Sequence, residues 1–253
     1  MLPRSLSLTL LNPTWSEEPF PPVEIAWEEP NGLLAVGGDL SITRLKSAYR
    51  AGIFPWFGPR EPIYWWSPDP RTVLFPHKIR MTRSLRKSLR NKGYRISFDT
   101  CFSDVVEACA APRSYTAETW ITHEMHTAYC LLHAHDIAHS VEVWNPAGEL
   151  VGGLYGVTTG GVFSGESMFS REPDTSKIAM VALAWHVQHW GFAVIDCQIE
   201  NPHLMSMGAE NISRADYLKI LQANLHVPPP RYWLADNSVD LSRWQTETDT
   251  DTR

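Results

Sequence analysis

The chain has 253 residues, 43% of them hydrophobic and 20% charged, and carries a formal net charge of −6. That balance describes a folded globular protein with a full core and excludes a disordered chain. No apolar run reaches the roughly 18 residues of a membrane span, the start MLPRSLSLTLLNPTW has no small-residue cleavage signature, and the four cysteines form no CxxC pair, so a cytoplasmic protein with reduced thiols is expected.

Residues 30–41, PNGLLAVGGDLS, are rich in turn formers. Ser41 is placed to cap a helix that carries Ile42, Leu45, Ala48 and Tyr49 and stops at Gly52. The next stretch, GIFPWFGPREPIYWWSPDPR (52–71), packs six large aromatics among five prolines with no helical period. It reads as a stiff aromatic loop, because a helix does not tolerate that much proline and a half-buried strand would alternate. A domain boundary is expected near Pro70. It divides the chain into a small N-terminal domain (1–70), a larger C-terminal domain (71–240) and a disordered polar tail (241–253).

Between Lys78 and Arg95 stand eight of the 22 basic residues and no acid. On a helical wheel Arg83, Arg86, Lys87 and Arg90 share one face, and Met81, Leu85 and Leu89 the other. The pattern predicts a docked amphipathic helix with a cationic ridge, suited to phosphates or simply to solvent. Beyond it, YRISF (94–98) reads as a strand and CFSDVVEACAA (101–111) as a helix. A further helix after Thr122 carries Met125, Tyr129 and Leu132. HSVEVW (139–144), ELVGGLYGV (149–157) and GGVFSGESMF (160–169) are strands, TSKIAMVALAWHVQHWG (175–191) is a helix, and FAVIDCQ (192–198) is a buried strand. Ser213 caps a last helix with Tyr217, Leu218 and Leu221.

This order, β-α-α-β-β-β-α-β-α, resembles the GNAT acyltransferase superfamily, whose fourth and fifth strands part around the acyl donor. The expected fold class is α+β, a small N-terminal α/β domain followed by a GNAT-like C-terminal domain. The RxxGxG/A pyrophosphate loop of acetyl-CoA enzymes is replaced here by SREPDTSK, which disfavours that cofactor.

Glu166 and Asp196 each follow an apolar strand segment, where an ionised carboxylate is costly unless paired, so they mark either a site or a structural ion pair. Gln198 follows Asp196 by two residues. Histidines 133, 135 and 139 cluster in HAHDIAH, but HEMH is too short for HExxH and exposed helix histidines are the plainer reading. With no GxSxG, GxGxxG or Walker sequence, no metal, cofactor or covalent nucleophile is expected.

NGLLAVGGDLS, GIFPWF, WWSPDPR, ETWIT, HSVEVW, GGLYGV, SGESMFSR, SKIAM and IDCQ, spread from Asn31 to Tyr232, together resemble the bacterial leucyl/phenylalanyl-tRNA–protein transferase family. The resemblance implies transfer of Leu or Phe, with Met as a further donor, from aminoacyl-tRNA to the N-terminal Arg or Lys of proteins, creating an N-degron. It implies catalysis by Asp196, which orients and deprotonates the acceptor amine, with Gln198 coupling it to the carbonyl. Glu166 recognises the acceptor, and Trp56 and Trp120 stack the terminal adenosine. Leu154, Phe163, Gly165, Met180 and Ile195 form the aminoacyl pocket, and Arg80, Arg83, Arg86, Lys87 and Arg90 track tRNA phosphates. Alternation puts Ile195 and Asp196 on opposite faces, so both reach one site only if the strands part there. A monomer is expected. A CoA-dependent acyltransferase and a non-catalytic tRNA-binding module are the alternatives.

Overall fold

The computed structural model describes residues 8–111 and 119–250. Two sheets organise the chain. The smaller holds β1 (Thr9–Leu11), β2 (Leu33–Gly37), β3 (Phe54–Pro55) and β4 (Tyr64–Trp66) in the order β1-β2-β4-β3. The aromatic loop thus contains two short strands, because β4 pairs antiparallel with both β2 and β3. Trp65 of β4 is fully buried and its indole donates to the Gly37 carbonyl. Helix α1 (Ile42–Arg50) starts where the Ser41 hydroxyl accepts the Arg44 N–H, and Gly52 follows it at φ +72°.

The larger sheet begins with β5 (Arg71–Leu74), five residues beyond β4. After it come α2 (Arg83–Asn91), β6 (Arg95–Phe98), α3 (Phe102–Ala110), α4 (His123–Ala134), β7 (Ala138–Trp144), β8 (Leu150–Thr159) and β9 (Val162–Ser170). The chain ends with α5 (Thr175–His189), β10 (Val194–Gln198), α6 (Pro202–Ser206), β11 (Glu210–Ile212), α7 (Arg214–Asn224) and a last helical turn at Glu247–Thr250. The sheet order is β11-β5-β10-β9-β8-β7-β6. β6 to β9 form an antiparallel meander, and β10 lies parallel to β9 and antiparallel to β5.

Alternation along the strands divides the core. On one face Leu154, Phe163 and Ile195 pack with the apolar side of α5 and with Leu85 of α2. On the other, Tyr155 and Val157 pack with α3, α4, α1 and Trp65, so the two sheets share one core instead of meeting through a thin linker. Tyr217 and Leu221 of α7 cover Val73, Val162 and Val194.

The expected tail behaves differently over residues 241–248. Leu241 and Ser242 are buried, and Arg86 donates through Nη1 to the carbonyls of Ser242 (2.9 Å) and Trp244 (2.7 Å). Two large apolar side chains, Leu241 and Trp244, give the segment something to bury, which a count of its polar residues hides. Residues 251–253 lie outside the described residues.

Candidate active site

β9 and β10 pair from Val162/Val194 only as far as Ser164/Asp196. Beyond that point both carry an irregularity. Glu166 is the extra residue of β9 opposite β8, and Cys197 the extra residue of β10 opposite β5. Bulges bend a strand and re-aim its side chains, and here they open a gap between two parallel neighbours. Gln198 sits at φ +65°, a left-handed conformation unusual for a side-chain-bearing residue, and its backbone N–H donates to Asp196 Oδ1 at 3.0 Å.

A cleft of about 1000 Å³ passes through this gap. Its walls include Phe54, Trp56 and Trp120, the polar Glu166 and Gln198, and the apolar Leu154, Phe163, Met180 and Ile195. All five residues expected to form the aminoacyl pocket line it, and Leu183 and Leu204 join them. Gly165 keeps the passage open, since a Cβ there would project into the cleft and touch only the Asp196 carbonyl, at 3.7 Å. Trp56 is 43% exposed, with its carbonyl held by the Trp66 indole at 2.7 Å and its ring 5.7 Å from that of Trp66.

Glu166 is the polar centre of the cleft. Oε1 accepts Tyr49 Oη (2.8 Å) and Gln198 Nε2 (2.9 Å), while Oε2 accepts Tyr129 Oη (2.7 Å). The two phenols are 2.8 Å apart. Burial pushes the Glu166 carboxyl up to about 7, Asp196 adds to the push, and the three donors pull against it. Burial raises both phenols well above their ordinary value, with the negative charge of Glu166 next, so they stay protonated donors.

Asp196 requires a correction. It does not line the cleft, its side chain is fully buried on the sheet face opposite Ile195, and alternation has prevailed. Oδ1 and Oδ2 accept Arg71 Nε and Nη2 at 2.8 and 2.7 Å, and Oδ2 also accepts Tyr217 Oη (2.9 Å) and Ser164 Oγ (3.3 Å). So enclosed, it faces away from the cleft and meets it through the Gln198 backbone N–H, which it accepts at 3.0 Å.

The ridge is also uneven. Arg80, Arg83, Lys87 and Arg90 are exposed, whereas Arg86 is half-buried and spent on the C-terminal segment. The expectation of exposed helix histidines fails at His139, which lies buried on β7. Its Nδ1 meets Asp99 Oδ2 at 2.8 Å, and His133 Nδ1 meets the Ala138 carbonyl at 2.8 Å. Asp99, His133 and His139 stand close enough to share an ion, yet each Nδ1 already serves a hydrogen bond that ties β7 to its neighbours.

Sequence reasoning missed Arg71, Tyr49, Tyr129 and Tyr217. A usable signal was present. A tyrosine at a core-facing helical position carries a hydroxyl that needs a buried partner, and two such positions point at one acceptor.

The parted strands, apolar pocket and carboxylate–amide pair suit a transferase, in which an acyl group is held while another group attacks it. The family described as leucyl/phenylalanyl-tRNA protein transferase matches residues 73–222, and its N-terminal domain matches residues 38–69. The leucyl/phenylalanyl-tRNA–protein transferase of Thiobacillus denitrificans is 57% identical over 219 residues, covering 86% of this chain and 96% of its own. That of Nitrosomonas europaea is 55% identical over 228 residues, covering 90% and 96%. A solved structure, L-PGS from Bacillus licheniformis, shares 11% identity over 67% of this chain and 54% of its own at a TM-score of 0.37, too loose to carry an argument. The chain belongs to the leucyl/phenylalanyl-tRNA–protein transferase family. It is an aminoacyltransferase, with aminoacyl-tRNA as donor and a protein as acceptor. Among the described residues no helix is long and apolar enough to cross a membrane.

Proposed function

We propose that the enzyme moves Leu or Phe, and Met as a further donor, from tRNA to an N-terminal Arg or Lys, marking the acceptor for degradation in the cytoplasm. The observation that carries this reading is the Gln198–Glu166 hydrogen bond, 2.9 Å across the gap between β9 and β10, in a cleft that Trp56, Trp120 and the apolar residues also line. The GNAT-like arrangement expected from element order draws support from the parting of β9 and β10.

The terminal adenosine stacks at Trp56 and Trp120, which costs little ordering because the loop is already fixed. The Leu or Phe side chain fills the space between Leu154, Phe163, Gly165, Met180 and Ile195. A flexible Met accommodates both shapes, while β-branched side chains meet the walls near Cβ. The ester carbonyl then lies beside Gln198.

The acceptor amine must be neutral to attack. An α-amino group titrates near 7.7–8.0, and a carboxylate held at about 7 is matched to accept its proton. Glu166 therefore recognises the amine and takes the role expected of Asp196. The C–N bond forms and the ester C–O bond breaks. One amine proton leaves nitrogen, and one reaches the departing ribose oxygen, for which the neighbouring 2′-hydroxyl is a route. Gln198, fixed by Asp196, orients the carbonyl, and most of the rate comes from positioning. Arg80, Arg83, Lys87 and Arg90 hold the acceptor stem by its phosphates, without reading sequence.

The deciding experiment supplies radiolabelled Leu-tRNA with peptides beginning Arg or Ala. Label moves to the Arg peptide alone; equal labelling refutes the acceptor claim. Label from acetyl-CoA with none from Leu-tRNA would favour the acyl-CoA reading, and tRNA binding with no transfer would favour a binding module.

A further inference from the structure

Helix α5 begins inside the cleft, where Asp174, Ser176 and Lys177 line the wall beside His203. Its start is rigid. Thr175 Oγ1 donates to the Val151 carbonyl at 2.8 Å, and a Cβ on Gly152 would lie 2.4 Å from Thr175 Cβ, so only glycine lets β8 approach this closely.

Several donors there lack partners. Asp174 is left-handed (φ +71°) and offers no side-chain cap, and among the described residues the backbone N–H groups of Ser176 and Lys177 meet no acceptor. Ser176 is 7% exposed and lines the cleft, and among the described residues its hydroxyl is given no hydrogen-bond partner. His203 Nε2 is buried without a partner. Burial and then the Lys177 ammonium hold the His203 imidazole below its ordinary value. Ser176, Lys177 and His203 thus line one cleft at the start of α5 with amides, a hydroxyl, a ring nitrogen and an ammonium, and a tetrahedral oxyanion is the group suited to such a set.

We propose that the start of α5 is a phosphate site, filled by the phosphodiester that joins the donor's terminal adenosine to the preceding nucleotide. This rests on the function proposed above. Two carboxylates oppose the anion and both are engaged. Asp174 accepts Ser88 Oγ at 2.9 Å and lies 3.8 Å from Lys177, and Glu200 accepts Asn211 Nδ2. Arg171, exposed on the same rim, adds a second cation. The Ser88–Asp174 contact also ties the rim to α2, so this phosphate and those on Arg83, Lys87 and Arg90 form one continuous track.

The test compares leucine esterified to adenosine, which has no phosphate, with leucine esterified to cytidylyl-adenosine, which has one phosphodiester. Lost charge-assisted hydrogen bonds predict that Ser176→Ala and Lys177→Met lower kcat/KM for the dinucleotide donor by about tenfold while the nucleoside donor stays within about twofold. Inorganic phosphate competes with the dinucleotide donor in the wild type and weakly in Lys177→Met. Equal losses on both donors, or none, overturn the proposal. Phosphate that binds at Lys177 without competing with the dinucleotide overturns its assignment to the donor. A wild type that uses neither donor strikes at the proposed function instead. Phosphorus NMR of inorganic phosphate with wild type and Lys177→Met then still decides: broadening lost in the variant supports a phosphate site, and none in either sinks it.

Discussion

Arg71 and Asp196 grip each other at two points, Nε to Oδ1 at 2.8 Å and Nη2 to Oδ2 at 2.7 Å, with neither side chain more than 1% exposed. The guanidinium also lies 4.9 Å from the Phe54 ring and 4.5 Å from that of Tyr217, and it donates to the Gly52 carbonyl. One pair therefore clamps the aromatic loop, β5, β10 and α7 around the floor of the cleft. Removing either partner leaves a buried charge uncompensated, a loss of about 3–5 kcal/mol. Arg71→Ala and Asp196→Asn are each expected to lower the urea midpoint sharply, with Arg71→Lys recovering only part. Unchanged midpoints would show that the pair contributes little.

A second expectation concerns pH. The Glu166 carboxyl stands at about 7 against an ordinary 4.5. A carboxyl raised on folding binds its proton more tightly in the native state. Its contribution is thus complete below about 4.5 and is lost as pH rises through about 7. Wild type should lose melting temperature relative to Glu166→Gln between about pH 5 and pH 8. In transfer assays wild type should show an inflection near 7 that Glu166→Gln lacks. Parallel melting curves across that window would contradict the assignment.

The phenols that flank Glu166 give a third. Their hydrogen bonds pull its carboxyl down, so Tyr49→Phe or Tyr129→Phe should move the activity inflection to higher pH. A double-mutant cycle between Tyr49→Phe and Glu166→Gln should return a coupling of about 1–2 kcal/mol. Additive effects would mean the contact is geometric only.

Trp56→Ala removes one stacking surface, worth about 1–3 kcal/mol, so KM for aminoacyl-tRNA should rise about 5- to 150-fold with kcat little changed. Steady-state kinetics decide this. An unaltered KM takes Trp56 out of the donor site.

The basic residues of α2 should separate in their behaviour. Arg83→Ala, Lys87→Ala and Arg90→Ala should each reduce the salt slope of tRNA binding by about one phosphate contact. Arg86→Ala should leave the slope nearly intact and loosen residues 241–248, seen as faster amide exchange there. Identical slopes for all four would argue against the ridge.

Much of this was legible beforehand. Ser41, Thr122 and Ser213 each cap the helix that local sequence promised, because capping is a short-range bargain between a hydroxyl and an N–H two or three residues on. The five residues proposed for the aminoacyl pocket came through the family resemblance, and all five line the cleft. What sequence could not show is how distant segments meet. Asp196 and Glu166 look alike as acids after apolar runs, but only the fold puts Arg71, 125 residues away, beside the first and two phenols beside the second. The bulges at Glu166 and Cys197 were equally hidden, because registers are set between strands and not along one.

The ligands of Glu166 come from residues 49, 129 and 198, and the clamp behind Gln198 closes only with Tyr217. During synthesis, then, a ribosome-bound chain cannot complete this hydrogen-bonded group until its final third has emerged and packed. A fragment that stops before residue 198 holds Glu166 without its amide partner, and one that starts after residue 49 holds it without one of its phenols.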